Sequence, residues 1–161
     1  MMYKSKQRIG LFGGSFDPPH MGHAMVISWA FATKEVDNVW VIPTNGHPFG
    51  KNLASYDARL VMCHELFNPI FGDRVSVNTF EHEDKVHYSI ETVEYITRQH
   101  SDTSFRWIMG TDVLKDVDKW RDFERLIQLS PPLVVPRRQT GPLDWLTSTN
   151  ISSTQIRYFV E

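Results

Sequence analysis

RIGLFGGSFDPPHMGH, residues 8–23, opens on an apolar run, turns on two glycines and ends in a pair of histidines. Arg8 to Phe12 reads as a short buried strand, because an apolar run of this length bounded by glycine suits a sheet interior. Gly13 and Gly14 permit a tight turn and a close approach of main chain to phosphate. Asp17-Pro18-Pro19 reads as a helix start, since aspartate caps and proline suits the first turn; the helix then runs from Met21 to Lys34. Its N-terminus directs unsatisfied N–H groups and a partial positive charge at the glycine turn. His20 and His23, three apart, would share a face near that end, where imidazoles can donate hydrogen bonds to a developing negative charge. Two other readings stay open for the pair. They are surface residues without a role, or they bind a metal, although zinc sites need further ligands and no third one stands nearby in sequence.

Outward from this stretch the chain alternates between short apolar runs and helical patterns. Further strands are expected at Val39–Ile42, stopped by Pro43, and at Val75–Phe80, Phe105–Met109 and Leu133–Val135. Helices are expected at Ser55–Phe67 with Ser55 as cap, Tyr88–Gln99, Trp120–Leu129 and Ser152–Val160, with a loop over residues 43–54. Such alternation predicts an α/β, doubly wound, mainly parallel sheet of about five strands covered on both faces. One domain spanning residues 1–161 is expected, without linker, repeat or low-complexity segment. Ligands of such sheets sit beyond the carboxyl ends of the strands, where the strand order reverses, so the loops after Phe12, Ile42 and Met109 are the places for a site.

Bulk properties narrow the class. With 17 Lys and Arg against 19 Asp and Glu, the formal net charge is -2. A non-specific nucleic-acid binder is usually basic, so small anionic ligands are expected instead of nucleic acid. Cys63 is the one cysteine; no internal disulfide can form, and its apolar neighbours Leu60, Val61 and Met62 favour a buried bystander over a nucleophile. The N-terminal MMYKSKQR lacks the apolar stretch of a signal peptide, and no run approaches a membrane span. A cytoplasmic protein is expected, with no membrane partner; self-association as a homo-oligomer is compatible with the sequence.

A second motif, ISSTQIR, occupies residues 151–157. Ser152, Ser153 and Thr154 would gather hydroxyls and free N–H groups at a helix N-terminus. Arg157, four residues after Ser153, would add a guanidinium able to fork onto phosphate. An ordinary capped helix with a surface arginine is the alternative.

GGSFDPPHMGH resembles the signature of the adenylyltransferases that make dinucleotides and coenzyme A precursors, with His20-Met21-Gly22-His23 as its T/H-x-G-H core. The resemblance implies a Rossmann-like fold and an ATP site. By it, His20 and His23 contact the ATP phosphates, Gly13, Gly14, Ser15 and Phe16 line the nucleotide and acceptor pocket, and Gly22 completes the core. Ile151, Ser152, Ser153, Thr154 and Arg157 would bind the ATP phosphates, with His20, His23 and Arg157 steadying the transition state. Further pieces resemble one branch, the nicotinate (or nicotinamide) mononucleotide adenylyltransferases: Ile42-Pro43 with Lys51 downstream, although His47-Pro48-Phe49-Gly50-Lys51 carries an inserted residue; Ser55 and Arg59; Tyr88-Ser89-Ile90-Glu91-Thr92; and Ile108-Met109-Gly110-Thr111-Asp112. Trp120 matches the tryptophan that stacks on the pyridine ring. This implies ATP contacts from Gly110 and Asp112, and acceptor contacts from Ser15, Phe16, Lys51, Tyr88, Ser89, Thr92, Asp112 and Trp120. Members of that branch continue past the final arginine, whereas this chain ends four residues after Arg157.

Chemistry agrees with the transfer. A flat pyridine needs an aromatic face, and tryptophan offers the best one, although by its residues alone Trp120 reads first as a packing tryptophan; Trp29, Trp40, Trp107 and Trp145 are read as packing residues. A phosphate monoester is already anionic near neutral pH. It can attack the α-phosphorus of ATP without a base or a covalent intermediate, with Mg²⁺ held mainly by the triphosphate and no dedicated metal cage. Two rival functions remain: another transferase on the same fold, using phosphopantetheine or CTP, and a non-catalytic nucleotide sensor.

Overall fold

The computed structural model describes residues 6–46, 52–80 and 88–136. The expected helix at 152–160, the ISSTQIR motif, Lys51 and Trp145 lie outside the described residues. Five strands form one sheet in the order β3-β2-β1-β4-β5: β1 (Gln7–Gly14), β2 (Asn38–Pro43), β3 (Val75–Val77), β4 (Thr103–Gly110) and β5 (Pro132–Val135). Every neighbouring pair is parallel. The helices α1 (Met21–Ala32), α2 (Tyr56–Phe71), α3 (Ser89–Gln99) and α4 (Phe123–Leu129) make the crossovers.

The strands alternate faces with the period of two that extended chain requires. Val39 and Val41 of β2, with Ile108 of β4, pack against Ala24, Ile27 and Ala30 of α1 and Cys63 and Phe67 of α2. Ile9 and Leu11 of β1, with Phe105, Trp107 and Met109 of β4, pack on the other face against Ile90, Val93 and Ile96 of α3 and Leu126 of α4. Both faces of the sheet are therefore covered, which explains why its strands read as nearly continuous apolar runs. Away from the carboxyl end, an Arg8–Asp37 ion pair at 2.9 Å joins the start of β1 to the entry of β2. The Arg8 guanidinium, chiefly by hydrogen bonding, holds the Asp37 carboxyl below its ordinary range.

Several element ends differ from expectation. The first helix does not start at Asp17: its N-cap is His20, and Met21 is the first helical residue. Asp17 instead accepts a hydrogen bond from the main-chain N–H of Ala54 at 3.3 Å. Pro43 belongs to β2 as its last residue, opposite Gly14; proline is tolerated at a strand end. Strand β3 stops at Val77, three residues before Phe80. Helix α2 has the expected Ser55 cap, whose hydroxyl accepts from the Ala58 N–H at 3.1 Å. It runs on to Phe71 with Pro69 inside it and ends at Gly72, whose φ of 57° suits glycine. The expected Trp120–Leu129 helix is shorter, because a 3-10 segment, Thr111–Lys119, intervenes after β4 and Trp120 caps its C-terminal end.

Candidate active site

Strand order reverses between β1, whose crossovers lead to β2 and β3, and β4, which leads to β5. The carboxyl ends of β1 and β4 flank that switch point, where doubly wound sheets bind ligands. Gly13 and Gly14 end β1, and Gly110 ends β4.

The two glycines serve opposite faces. A Cβ on Gly13 would lie 3.0 Å from the Trp107 ring, whereas one on Gly14 would lie 3.3 Å from the Phe16 ring. Neither glycine has a positive φ. The want of a side chain is thus a packing requirement: it lets one aromatic ring close over each face of the strand end. On the Gly13 side, Trp107 packs edge-on against Trp120 with centroids 6.1 Å apart, and Trp120 does the same against Phe123 at 6.1 Å. On the Gly14 side, Phe16 turns back over the strand with a left-handed φ of 48°, a conformation that costs a non-glycine residue about 1–3 kcal/mol unless its surroundings hold it. They do hold it: Phe16 is 1% exposed and meets Phe12 at 5.3 Å, His23 at 4.8 Å and Phe67 at 6.2 Å. A ring so buried leaves only the main chain of Phe16 to face a ligand.

That aromatic group positions the histidines. His20, buried, caps α1 in extended conformation, and its carbonyl accepts from the N–H groups of His23 at 3.0 Å and Ala24 at 3.3 Å. His23 occupies the third helical position, and its Nδ1 accepts from the His20 main-chain N–H at 3.1 Å, closing a reciprocal cap. The rings stack with centroids 3.8 Å apart and 25° between planes. Because Nδ1 accepts, a neutral His23 carries its proton on Nε2. Sequence spacing thus leads to a pair at the helix N-terminus, but one held by a cap instead of by neighbouring positions along a helix face.

On the other face, Tyr88 caps α3 and Ser89 is its first helical residue, while Thr92 is buried one turn on. The Arg121 guanidinium lies 4.8 Å over the Tyr88 ring and 3.8 Å from Glu91. Since Arg121 follows Trp120 directly, it draws the start of α3 toward the tryptophan pair. Gly110 caps, and Asp112 lies in the first turn of, the 3-10 segment that leads to Trp120. Arg121 carried no recognisable signal in the sequence, where it is one cation among many.

The largest omission is Arg59. It is noted in the sequence only as part of a motif, yet its side chain is fully buried. Four of its hydrogen bonds go to main-chain carbonyls: Nε to Ala54 at 2.9 Å, Nη1 to Ser15 at 2.8 Å and Thr44 at 2.7 Å, and Nη2 to Asn45 at 3.2 Å. Ser15, assigned above to the pocket, is thereby fixed through its carbonyl.

Cys63, one turn beyond Arg59, is fully buried, and burial pushes its thiol up to about 12. A thiolate is the reactive form, so no nucleophile is available there. Native protein is expected to resist iodoacetamide at neutral pH and to take up one equivalent only after denaturation, as read by intact mass; rapid native alkylation would contradict the packing. Among the described residues, no cluster of three or more His, Cys, Asp or Glu is arranged to hold a metal ion, and no helix is long and apolar enough to cross a membrane.

Comparison with known proteins places the chain in a family. Residues 11–159 match the family model described as cytidylyltransferase-like. A relative from Anaeromyxobacter sp. (strain K), named "Probable nicotinate-nucleotide adenylyltransferase", is 38% identical over 154 residues, covering 94% of this chain and 82% of the relative. One of the same name from Myxococcus xanthus is 35% identical over 131 residues, covering 81% and 68% respectively. The solved structure of Plasmodium falciparum nicotinic acid mononucleotide adenylyltransferase complexed with NaAD superposes with a TM-score of 0.79 at 18% identity, over 96% of this chain and 84% of that one. That likeness establishes the Rossmann-like fold, and the sequence relatives carry it to the level of an enzyme family: the chain belongs to the nicotinate-nucleotide adenylyltransferases, within the cytidylyltransferase-like nucleotidyltransferases.

Proposed function

We propose that this protein transfers the adenylyl group of ATP to nicotinate mononucleotide, giving deamido-NAD and pyrophosphate, as a cytoplasmic step of NAD biosynthesis, with residues 1–161 acting as one nucleotidyltransferase domain. The observation that carries the reading is the His23 cap. It fixes the imidazole through Nδ1 and holds it stacked on His20 at the positive end of α1, beside the switch point of the sheet.

In this reaction a phosphate oxygen of the acceptor attacks the α-phosphorus of ATP in line. A new P–O bond forms as the bond to the β,γ-diphosphate breaks, and pyrophosphate leaves. The attacking oxygen is already anionic, so no general base is required, and catalysis reduces to positioning and neutralisation of charge. ATP enters as its Mg²⁺ complex, the metal being part of the substrate. His20 and His23 donate to phosphate oxygens, and Arg157 adds a guanidinium from the second motif. Main chain at Gly13, Gly14, Ser15 and Phe16, with Gly22, Gly110, Asp112 and Ile151 to Thr154, completes the ATP side. Tyr88, Ser89, Thr92, Asp112, Trp120 and Lys51, with Ser15 and Phe16, form the acceptor side. The division of the β1 end into a histidine face and a tryptophan face supports this allocation, because it separates phosphate chemistry from a surface suited to a flat ring.

The test is pyrophosphate release from ATP and Mg²⁺ with nicotinate mononucleotide, nicotinamide mononucleotide, phosphopantetheine or no acceptor. Fastest release with nicotinate mononucleotide is expected. Release with phosphopantetheine alone would keep the chemistry and overturn the acceptor. ATP binding without release under any condition would favour a sensor.

A further inference from the structure

We infer that Arg59 is a positioning residue for the glycine turn of β1: a buried guanidinium that fastens that turn to the end of β2 and the start of α2. The inference rests on the function proposed above and extends it to a residue outside the reacting groups.

The four carbonyls it holds are unevenly placed along the chain. Thr44 and Asn45 leave β2, and Ala54 enters α2, so one side chain gathers the beginning and the end of the same loop. The fourth, Ser15, belongs to the turn between β1 and α1. Two further bonds reinforce this junction: the Thr44 N–H donates to the Gly14 carbonyl at 2.9 Å, and the Ala54 N–H donates to Asp17. Burying a cation is costly unless its donors are satisfied, and carbonyls satisfy these donors here. A guanidinium suits the task because it is planar and presents five N–H groups at fixed angles, whereas an ammonium presents three from a single point.

The effect reaches the site through Ser15, whose main chain serves both substrates in the function proposed above. None of the four carbonyls belongs to α1 or to the histidine pair, which is held by its own cap and by Phe12 and Phe16. Slackening Arg59 therefore moves main chain that both substrates share while the histidine cap stays closed.

The experiment compares wild type with Arg59→Lys in steady-state kinetics, varying each substrate in turn, with circular dichroism and thermal melting as controls of folding. A displacement near 1 Å can cost about a hundredfold, so kcat/KM for both substrates is expected to fall by about tenfold or more in the lysine variant while its fold and melting behaviour persist. A folded Arg59→Lys with kcat/KM unchanged for both substrates overturns the inference. If the variant does not fold, the Arg59 Nε–H resonance of the wild-type protein decides. Its shift should move on titration with nicotinate mononucleotide or with ATP; a signal unmoved by either overturns the inference. Failure of wild type to turn over nicotinate mononucleotide is a separate result and removes the underlying function first.

Discussion

Replacing His23 with asparagine is expected to lower kcat about 10²–10³-fold, the usual cost of one donor to developing negative charge, in a protein that stays folded. The geometry makes asparagine informative. Its Oδ1 can take the place of Nδ1 and accept the His20 N–H, preserving the cap seen at 3.1 Å, but nothing in it replaces the Nε2 donor. Glutamine is the complement: its amide nitrogen reaches the Nε2 position while the cap is lost. Glutamine should therefore retain more turnover than asparagine, yet melt at a lower temperature, since loss of a cap costs about 1 kcal/mol. Alanine removes both functions and should show both defects. His20→Ala should also lower turnover strongly, because the two rings are stacked and either one sets the plane of the other. If His23→Asn turns over normally and glutamine does not, the residue acts only as a cap. Near-wild-type turnover of both alanine variants would remove the phosphate role of the pair.

Trp120→Ala should act on the other substrate. Stacking of a flat ring on an aromatic side chain is worth about 1–3 kcal/mol, so KM for the pyridine nucleotide is expected to rise about ten- to a hundredfold while KM for ATP moves little. Trp120 also packs edge-on against Trp107 and Phe123, so a loss of stability accompanies the substitution. Trp120→Phe separates the two consequences: a phenyl ring keeps an aromatic face and most of the packing, and should restore much of the acceptor affinity. A rise in the ATP KM with an unchanged acceptor KM would assign Trp120 to packing alone.

The strands and helices of the sheet were legible because each is a local pattern. Arg8 to Phe12, Val39 to Ile42 and Phe105 to Met109 announce buried strands by composition, and all three lie within observed strands. The ends were less legible where a long-range contact outweighed a local preference. Asp17 suits a cap, yet it is engaged by Ala54, 37 residues away, and the cap passes to His20. A 3-10 segment follows Gly110 and the helix starts only at Phe123, so Trp120, expected as the first residue of that helix, stands before it.

The sequence by itself determined the alternation of elements, hence a parallel sheet with a site at its carboxyl edge, and it singled out the histidines, because a glycine turn followed by a helix N-terminus is a local arrangement with one obvious chemical use. Only the tertiary structure decided how that arrangement is held. Gly13 and Gly14 look alike in the chain, but strand alternation turns them to opposite faces, one under Trp107 and the other under Phe16. Arg59 looks like any arginine in the first turn of a helix. Its burial and its bond to Ser15, 44 residues away, exist only once β1, β2 and α2 meet. Local propensity acts over a few residues, whereas the partners that satisfy a buried cation are assembled by the crossovers of the sheet.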